Sequence, residues 1–242
     1  MIASCRTFAR RLTVALWLGL AAGFVLPGSA RADEPRAQPK PRLFNSLEFR
    51  AASLDALPQW LRVLGRIRDE QRIYDACEGD IRSCPFPAVA AWRAKIRSLR
   101  GVEPKNQLHE LNAFLNRWNF REDREAYGVE DYWATPLEFL RQSGDCEDYT
   151  IAKYVSLRAL GFSDDSLRIV VVRDTLRNVV HAVLAVYIDD QVMILDSTFD
   201  AVLPHELITF YAPQYSINET TRWAHVMPSA PLVSADPGII RR

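Results

Sequence analysis

At Gly161 the period of the sequence changes. Before it, apolar residues recur at helical spacing; after it, they alternate or run in short blocks. The last helical stretch before the change is Ser143-Gly-Asp-Cys-Glu-Asp-Tyr-Thr-Ile-Ala-Lys-Tyr-Val-Ser-Leu-Arg-Ala-Leu-Gly161. Gly144 makes the turn, Asp145 is a good N-cap and Cys146 falls in the first turn. Ile151, Tyr154, Val155 and Leu157 follow on one face, and Gly161 suits the C-terminal left-handed position. A thiol placed there sees the positive end of the helix dipole, which favours the thiolate.

Three carboxylates crowd that thiol: Asp145, Glu147 and Asp148. The plain reading is first-turn capping by acidic residues. Magnitudes ask for more. A helix terminus is worth about 0.3–1 kcal/mol to an anion. One carboxylate about 5 Å from a thiolate costs on the order of 3 kcal/mol at an effective dielectric of ~20. Two or three such neighbours keep the thiol protonated unless a cation offsets them. Clustered oxygen ligands beside a turn suit Ca²⁺, so Asp145, Glu147 and Asp148 are read as a calcium site that orders the loop.

The first 32 residues read as a signal peptide. Arg6, Arg10 and Arg11 precede the apolar stretch Leu12 to Leu26, and Ala30-Arg31-Ala32 is a small-x-small cleavage site. Its removal takes four of the 30 basic residues and none of the 30 acidic ones, leaving 26 against 30. That balance carries no polybasic signal for nucleic acid or anionic membrane, and the mature chain is read as exported and not embedded in a membrane. Cys5 leaves with the leader. Cys77 and Cys84 flank a short polar segment and are expected to pair in an oxidising compartment. Cys146 is then the odd cysteine of the count.

In order, residues 33–42 are a Pro-rich leader, 43–226 the folded domain and 227–242 a loose tail. Apolar spacing predicts helices from Ser53 to about Asp69, from Pro87 to about Leu99, and from about Pro104 to Trp118. Residues 119–134 are a polar, aromatic loop, expected to wall a cleft or supply backbone oxygens to the metal. Thr135-Pro-Leu-Glu138 is a capping box opening a short helix that ends near Gly144. Beyond Gly161, strands are expected over Leu167–Arg173, Val179–Ile188, Gln191–Asp196 and Trp223–Val226, with a short helix within 204–212.

Asp189-Asp190 reads as a two-residue turn. If Ile188 pairs with Gln191, His181 lies opposite Thr198, and Asp196 is its diagonal neighbour on the same face. A slip of one residue separates them. A cysteine on the preceding helix packed against that face completes the triad pattern of nucleophile, imidazole and orienting carboxylate. His109, His205 and His225 lack such partners and are read as structural.

These segments carry a resemblance. Asp131-Tyr-Trp-Ala-Thr-Pro-Leu-Glu138, Gly144-Asp-Cys-Glu-Asp-Tyr149 with Ala152-Lys-Tyr154, Val180-His-Ala-Val183 and Leu195-Asp-Ser197 are similar to the bacterial transglutaminase-like cysteine proteinases, the LapG-type periplasmic proteases among them. The resemblance covers residues 85 to 225. It implies an α+β fold with a papain/transglutaminase-like core of helices packed on an antiparallel sheet. It implies Cys146 as nucleophile, His181 as general base and acid and Asp196 as orienting carboxylate, with Ca²⁺ at Asp145, Glu147 and Asp148. It further implies a periplasmic endopeptidase that cleaves a large surface adhesin near its N-terminus, at a small-residue site with consecutive alanines. The expected regulator is the periplasmic domain of an inner-membrane cyclic-di-GMP receptor, and Trp133 is a candidate contact for substrate or receptor. Two alternatives stay open: acyl transfer by a transglutaminase or deamidase through the same thioester, and a non-enzymatic calcium-binding module.

Overall fold

The computed structural model describes residues 42–228 except 52, 80, 81 and 83. The expected signal peptide, the leader up to residue 41 and the tail from residue 229 lie outside the described residues. The chain places helices first and strands second. After an edge strand β1 (Leu47–Ala51) come α1 (Pro58–Gly79), α2 (Pro87–Leu99), α3 (Pro104–Leu115), α4 (Asp123–Ala126), α5 (Pro136–Gln142) and α6 (Cys146–Ala159). Then follow β2 (Leu167–Asp174), β3 (Val179–Ile188), β4 (Gln191–Leu195), β5 (Leu203–Pro204), β6 (Tyr211–Ile217) and β7 (Arg222–Val226). Every named pairing is antiparallel, in the order β1-β7-β6-β2-β3-β4-β5. This is an α+β fold with helices packed on an antiparallel sheet. Among the described residues no helix is long and apolar enough to cross a membrane.

The near-continuous apolar runs of β2 and β3 follow from burial on both faces. Leu167, Ile169, Leu184 and Val186 pack with the helices. Val170, Val172, Val183 and Ala185 form a second core with Leu43, Phe44, Ile208 and Tyr211. The helices begin where local chemistry starts them: Pro stands at the first turn of α2, α3 and α5, and α5 also has the Thr135–Glu138 capping box. Asp189 and Asp190 turn the β3–β4 hairpin with φ of +48° and +59°, the left-handed pair a two-residue turn needs. Ile188 pairs with Gln191, as the register argument requires.

The third helix ends at Leu115, short of the expected Trp118, and other elements differ more. The first helix does not start at Ser53. Pro58 opens it, and it runs on to Gly79, so Cys77 lies in its last turn, disulfide-bonded to Cys84. The helix expected within 204–212 is a single 3-10 turn at His205–Leu207, after which Tyr211 begins β6, a strand inside the sheet. Its Pro213 reads as a strand breaker. The register against β2 shifts between Val171, opposite Tyr215, and Val172, opposite Pro213, which places the proline at an irregularity in the ladder. The polar loop 119–134 also contains a helical turn, α4.

Candidate active site

Cys146 is the first residue of α6, with Asp145 as N-cap. Gly144 is required by space: a Cβ there would collide with the Asp148 carboxylate. That carboxylate closes the turn by accepting from the Asp145 N–H at 3.3 Å and the Ala134 N–H at 2.6 Å. The Arg121 N–H donates to Gly144 O at 2.9 Å and ties the polar loop to the same turn.

The cysteine is buried against β3. The Ala182 N–H lies 3.2 Å from Cys146 Sγ, and the Thr150 hydroxyl bridges Cys146 O (2.8 Å) and Ala182 O (3.1 Å). The sulfur therefore sits beside the residue that follows His181. Through Nε2, His181 contacts Asp196 Oδ1 at 2.8 Å, so Nδ1 is the ring nitrogen that remains. Asp196 is fully buried and accepts three further hydrogen bonds: Thr198 N–H (2.8 Å) and Oγ1–H (2.9 Å) on Oδ1, and the Tyr211 hydroxyl (2.6 Å) on Oδ2. Burial opposes its charge. The charge and hydrogen bond of His181, with the Tyr211 and Thr198 donors, outweigh burial and hold this carboxyl well below the usual range. Cys146, His181 and Asp196 thus come from α6, β3 and the end of β4 to one place. Of the other histidines, His205 Nδ1 accepts from Phe44 N–H (3.0 Å), and His225 bridges Ser46 and Ser216.

Asp145, Glu147 and Asp148 are all buried, and the polar loop brings two more acids to them. Ligand atoms of Asp123, Asp145 and Asp148 lie within 4.8 Å of one another, as do those of Asp123, Asp131 and Glu147, and those of Asp145, Cys146 and Glu147. The loop thus brings the carboxylates of Asp123 and Asp131 to the cluster, a contribution not expected from the sequence. Burial, reinforced by mutual repulsion, raises Asp123 to about 7 and pushes Glu147 and Asp148 well above the carboxylate range. Asp145 is raised to about 6, chiefly by burial. The buried Oδ1 atoms of Asp123 and Asp145 accept no hydrogen bond among the described residues. A dense set of dry carboxylate oxygens with orphaned acceptors fits a hard divalent cation. Cys146 Sγ lies 3.2 Å from Glu147 Oε2, so the cluster borders the sulfur.

Helix α1 holds the loop that carries this cluster. Gln59 Nε2 donates to Asp131 Oδ2 (3.0 Å), Arg62 reaches the Tyr132 hydroxyl (3.1 Å) and the Trp133 carbonyl, and the Thr135 hydroxyl donates to buried Glu70 (3.1 Å). Trp133 is not a surface contact. It is 3% exposed and packs in the core, its ring 6.4 Å from that of Trp60.

Fold and site together define a cysteine protease of the transglutaminase-like superfamily. The family model for bacterial transglutaminase-like cysteine proteinases matches residues 74–230, and the chain belongs to that family. The structure is similar to Legionella pneumophila LapG, at 31% identity over 64% of this chain and 86% of that chain, with a TM-score of 0.54. A calcium-bound form of the same protein matches at 33% identity over 65% and 87%, and an EGTA-treated form at 31% over 64% and 84%, both with a TM-score of 0.54. No curated protein matches the sequence.

Proposed function

We propose that this protein is an exported, calcium-dependent cysteine endopeptidase with Cys146, His181 and Asp196 as its triad. The observation that carries the reading is the contact of His181 Nε2 with Asp196 Oδ1 at 2.8 Å, one residue from the Ala182 N–H that meets Cys146 Sγ at 3.2 Å. His181 takes the thiol proton, and Cys146 attacks the scissile carbonyl. The helix-start N–H of Cys146 is a natural donor to the oxyanion. His181 then protonates the departing amine, leaving a thioester, and draws a proton from water to hydrolyse it. Asp196 fixes the imidazole's orientation and stabilises its charged form.

Asp145, Glu147 and Asp148, joined by Asp123 and Asp131, would hold calcium. Bound there, it would offset the negative charge of the acids beside Cys146. The calcium-bound and EGTA-treated forms of Legionella pneumophila LapG support this reading. The substrate we propose is the N-terminal region of a large surface adhesin with a consecutive-alanine site, whose cleavage governs biofilm attachment. Its control would rest with the periplasmic domain of an inner-membrane cyclic-di-GMP receptor.

The test is cleavage of such a segment in calcium and in excess EGTA, with Cys146→Ala as blank and a primary amine added. Cleavage only with calcium supports the proposal. Amine incorporation without cleavage replaces it with acyl transfer, and no Cys146-dependent product in either condition leaves a binding module.

A further inference from the structure

Just ahead of β1 the chain makes a turn, Leu43–Asn45, that hooks two side chains into the second core. Leu43 and Phe44 are both buried there, with Ile208 and Tyr211. The turn is closed by the Asn45 N–H on Arg42 O at 3.1 Å and the Ser46 N–H on Leu43 O at 3.0 Å. Its other donors go to side chains. The Leu43 N–H donates to Glu48 Oε1 (3.3 Å), and the Phe44 N–H to His205 Nδ1 (3.0 Å), 161 residues along the chain. The Ser46 hydroxyl meets His225 Nδ1, on β7, at 2.7 Å. Bonds to three separate parts of the fold thus hold this hook in one place.

Phe44 occupies the left-handed region, with φ of +48°. For a bulky side chain that is an outlier, kept only where the surroundings impose it. Asn45, at +57°, tolerates the region more readily. The strained backbone places one ring. Phe44 makes edge-to-face contacts with two aromatic neighbours: His205, centroids 5.7 Å apart at 85°, and Tyr211, 6.0 Å apart at 80°. Phe210 meets the Tyr211 ring at 4.8 Å and His181 at 5.8 Å. A tyrosine held among three rings has little freedom to tilt, and its hydroxyl donates to Asp196 Oδ2 at 2.6 Å.

Filling the core does not require such a backbone: Val170, Val172, Val183, Ala185, Val192 and Ile194 fill it from ordinary strands. Strain kept at a bulky residue one ring away from a reactive group points to a use. We propose that Phe44 is a positioning residue for the reaction. Its ring fixes the Tyr211 ring, so that the Tyr211 hydroxyl holds the Asp196 carboxylate and, through it, His181 Nε2 at 2.8 Å. This rests on the triad reading of Cys146, His181 and Asp196. Every step from the turn ahead of β1 to the imidazole is a ring contact or a hydrogen bond. His205 anchors the start of that line by accepting the Phe44 N–H, which gives a histidine outside the triad a place in it.

The test is the rate of Cys146 alkylation by iodoacetamide at neutral pH in the calcium-loaded protein, with Cys146→Ala as blank. Phe44→Leu keeps an apolar side chain in the core and removes the ring. Val192→Ala is the control, because it loosens the same core beside Tyr187, at the other end of β3 from His181. Phe44→Leu is expected to slow alkylation by about threefold or more, the worth of an edge-to-face contact. Val192→Ala is expected to lower the melting temperature and leave the rate unchanged. In a Tyr211→Phe background, Phe44→Leu is expected to add no further loss, since the hydroxyl it would misplace is gone. Equal rates in wild type and Phe44→Leu overturn the proposal. So does an equal loss in Val192→Ala, or a Phe44→Leu loss undiminished by Tyr211→Phe, since either makes the effect one of general loosening. If Phe44→Leu does not fold, Phe44→Met gives the same reading with a side chain that adapts to the gap. A wild-type Cys146 no more reactive than a free peptide thiol overturns instead the triad reading beneath it, whatever Phe44 does.

Discussion

The Tyr211 hydroxyl donates to Asp196 Oδ2 at 2.6 Å, on the carboxylate oxygen that His181 does not use. The His181 and Tyr211 rings lie 5.8 Å apart, so one side chain steadies both the carboxylate and the imidazole. A hydrogen bond to a charged group is worth about 1.5–3 kcal/mol.

Tyr211→Phe is therefore expected to slow peptide cleavage by about tenfold or more at neutral pH with little change in KM. It also moves the acid response. Asp196 is held below the usual range, so its contribution to stability is present above its unfolded value of about 3.9 and is lost as pH falls through the folded value. Removing the Tyr211 donor raises the folded value, so the loss begins at higher pH. Urea unfolding of the two proteins across acid pH checks this.

Asp123 sits among the acids with an orphaned buried oxygen, Oδ1, while its Oδ2 accepts from the Tyr132 N–H at 2.6 Å. Asp123→Asn keeps the shape and removes one charge. Calcium affinity measured by isothermal titration is expected to fall by about tenfold or more, as it should for Asp145→Ala. Full affinity in Asp123→Asn would remove the loop from the ligand set.

Chelation should be most damaging at neutral pH. Burial raises Asp123 to about 7 and Asp145 to about 6 and pushes Glu147 and Asp148 well above the usual carboxylate range, so these groups bind protons in the folded state that the unfolded chain has already released. Stability of the metal-free protein thus falls as pH rises from about 4 through about 7. Thermal unfolding in EGTA should show that fall, and the melting-point gap between calcium and EGTA should widen from about pH 5 to about pH 7.5. A gap that narrows would refute the assignment.

Gly144→Ala tests the close approach of the turn to Asp148. The obstacle is a carboxylate fixed by two backbone donors, so it gives way only by losing them. We expect a loss of about 1–3 kcal/mol in stability and a weaker melting-point response to calcium.

Much of this was legible from residues alone, for identifiable reasons. The start of α6 is written in Gly144, Asp145 and the apolar face that follows, and the β3–β4 register in Asp189-Asp190 and the runs beside it. β6 was hidden because Pro213, at an irregularity of the ladder, resembles a terminator. β1 was hidden because it is a sheet-edge strand with Leu47 and Phe49 exposed, and shows no buried alternation. Asp123 and Asp131 joined the acidic cluster unannounced, because a loop that folds back on a helix leaves no period in the sequence.

The grip of α1 on the acidic loop has a practical side. The family match begins at residue 74, late in α1. An expression clone trimmed to that boundary would discard Gln59, Arg62 and Glu70, and with them the side chains that fasten Asp131, Trp133 and Thr135. Such a fragment would keep every residue of the nucleophile's motif and lose the scaffold that aims its acids. Silence from it would say nothing about the intact enzyme.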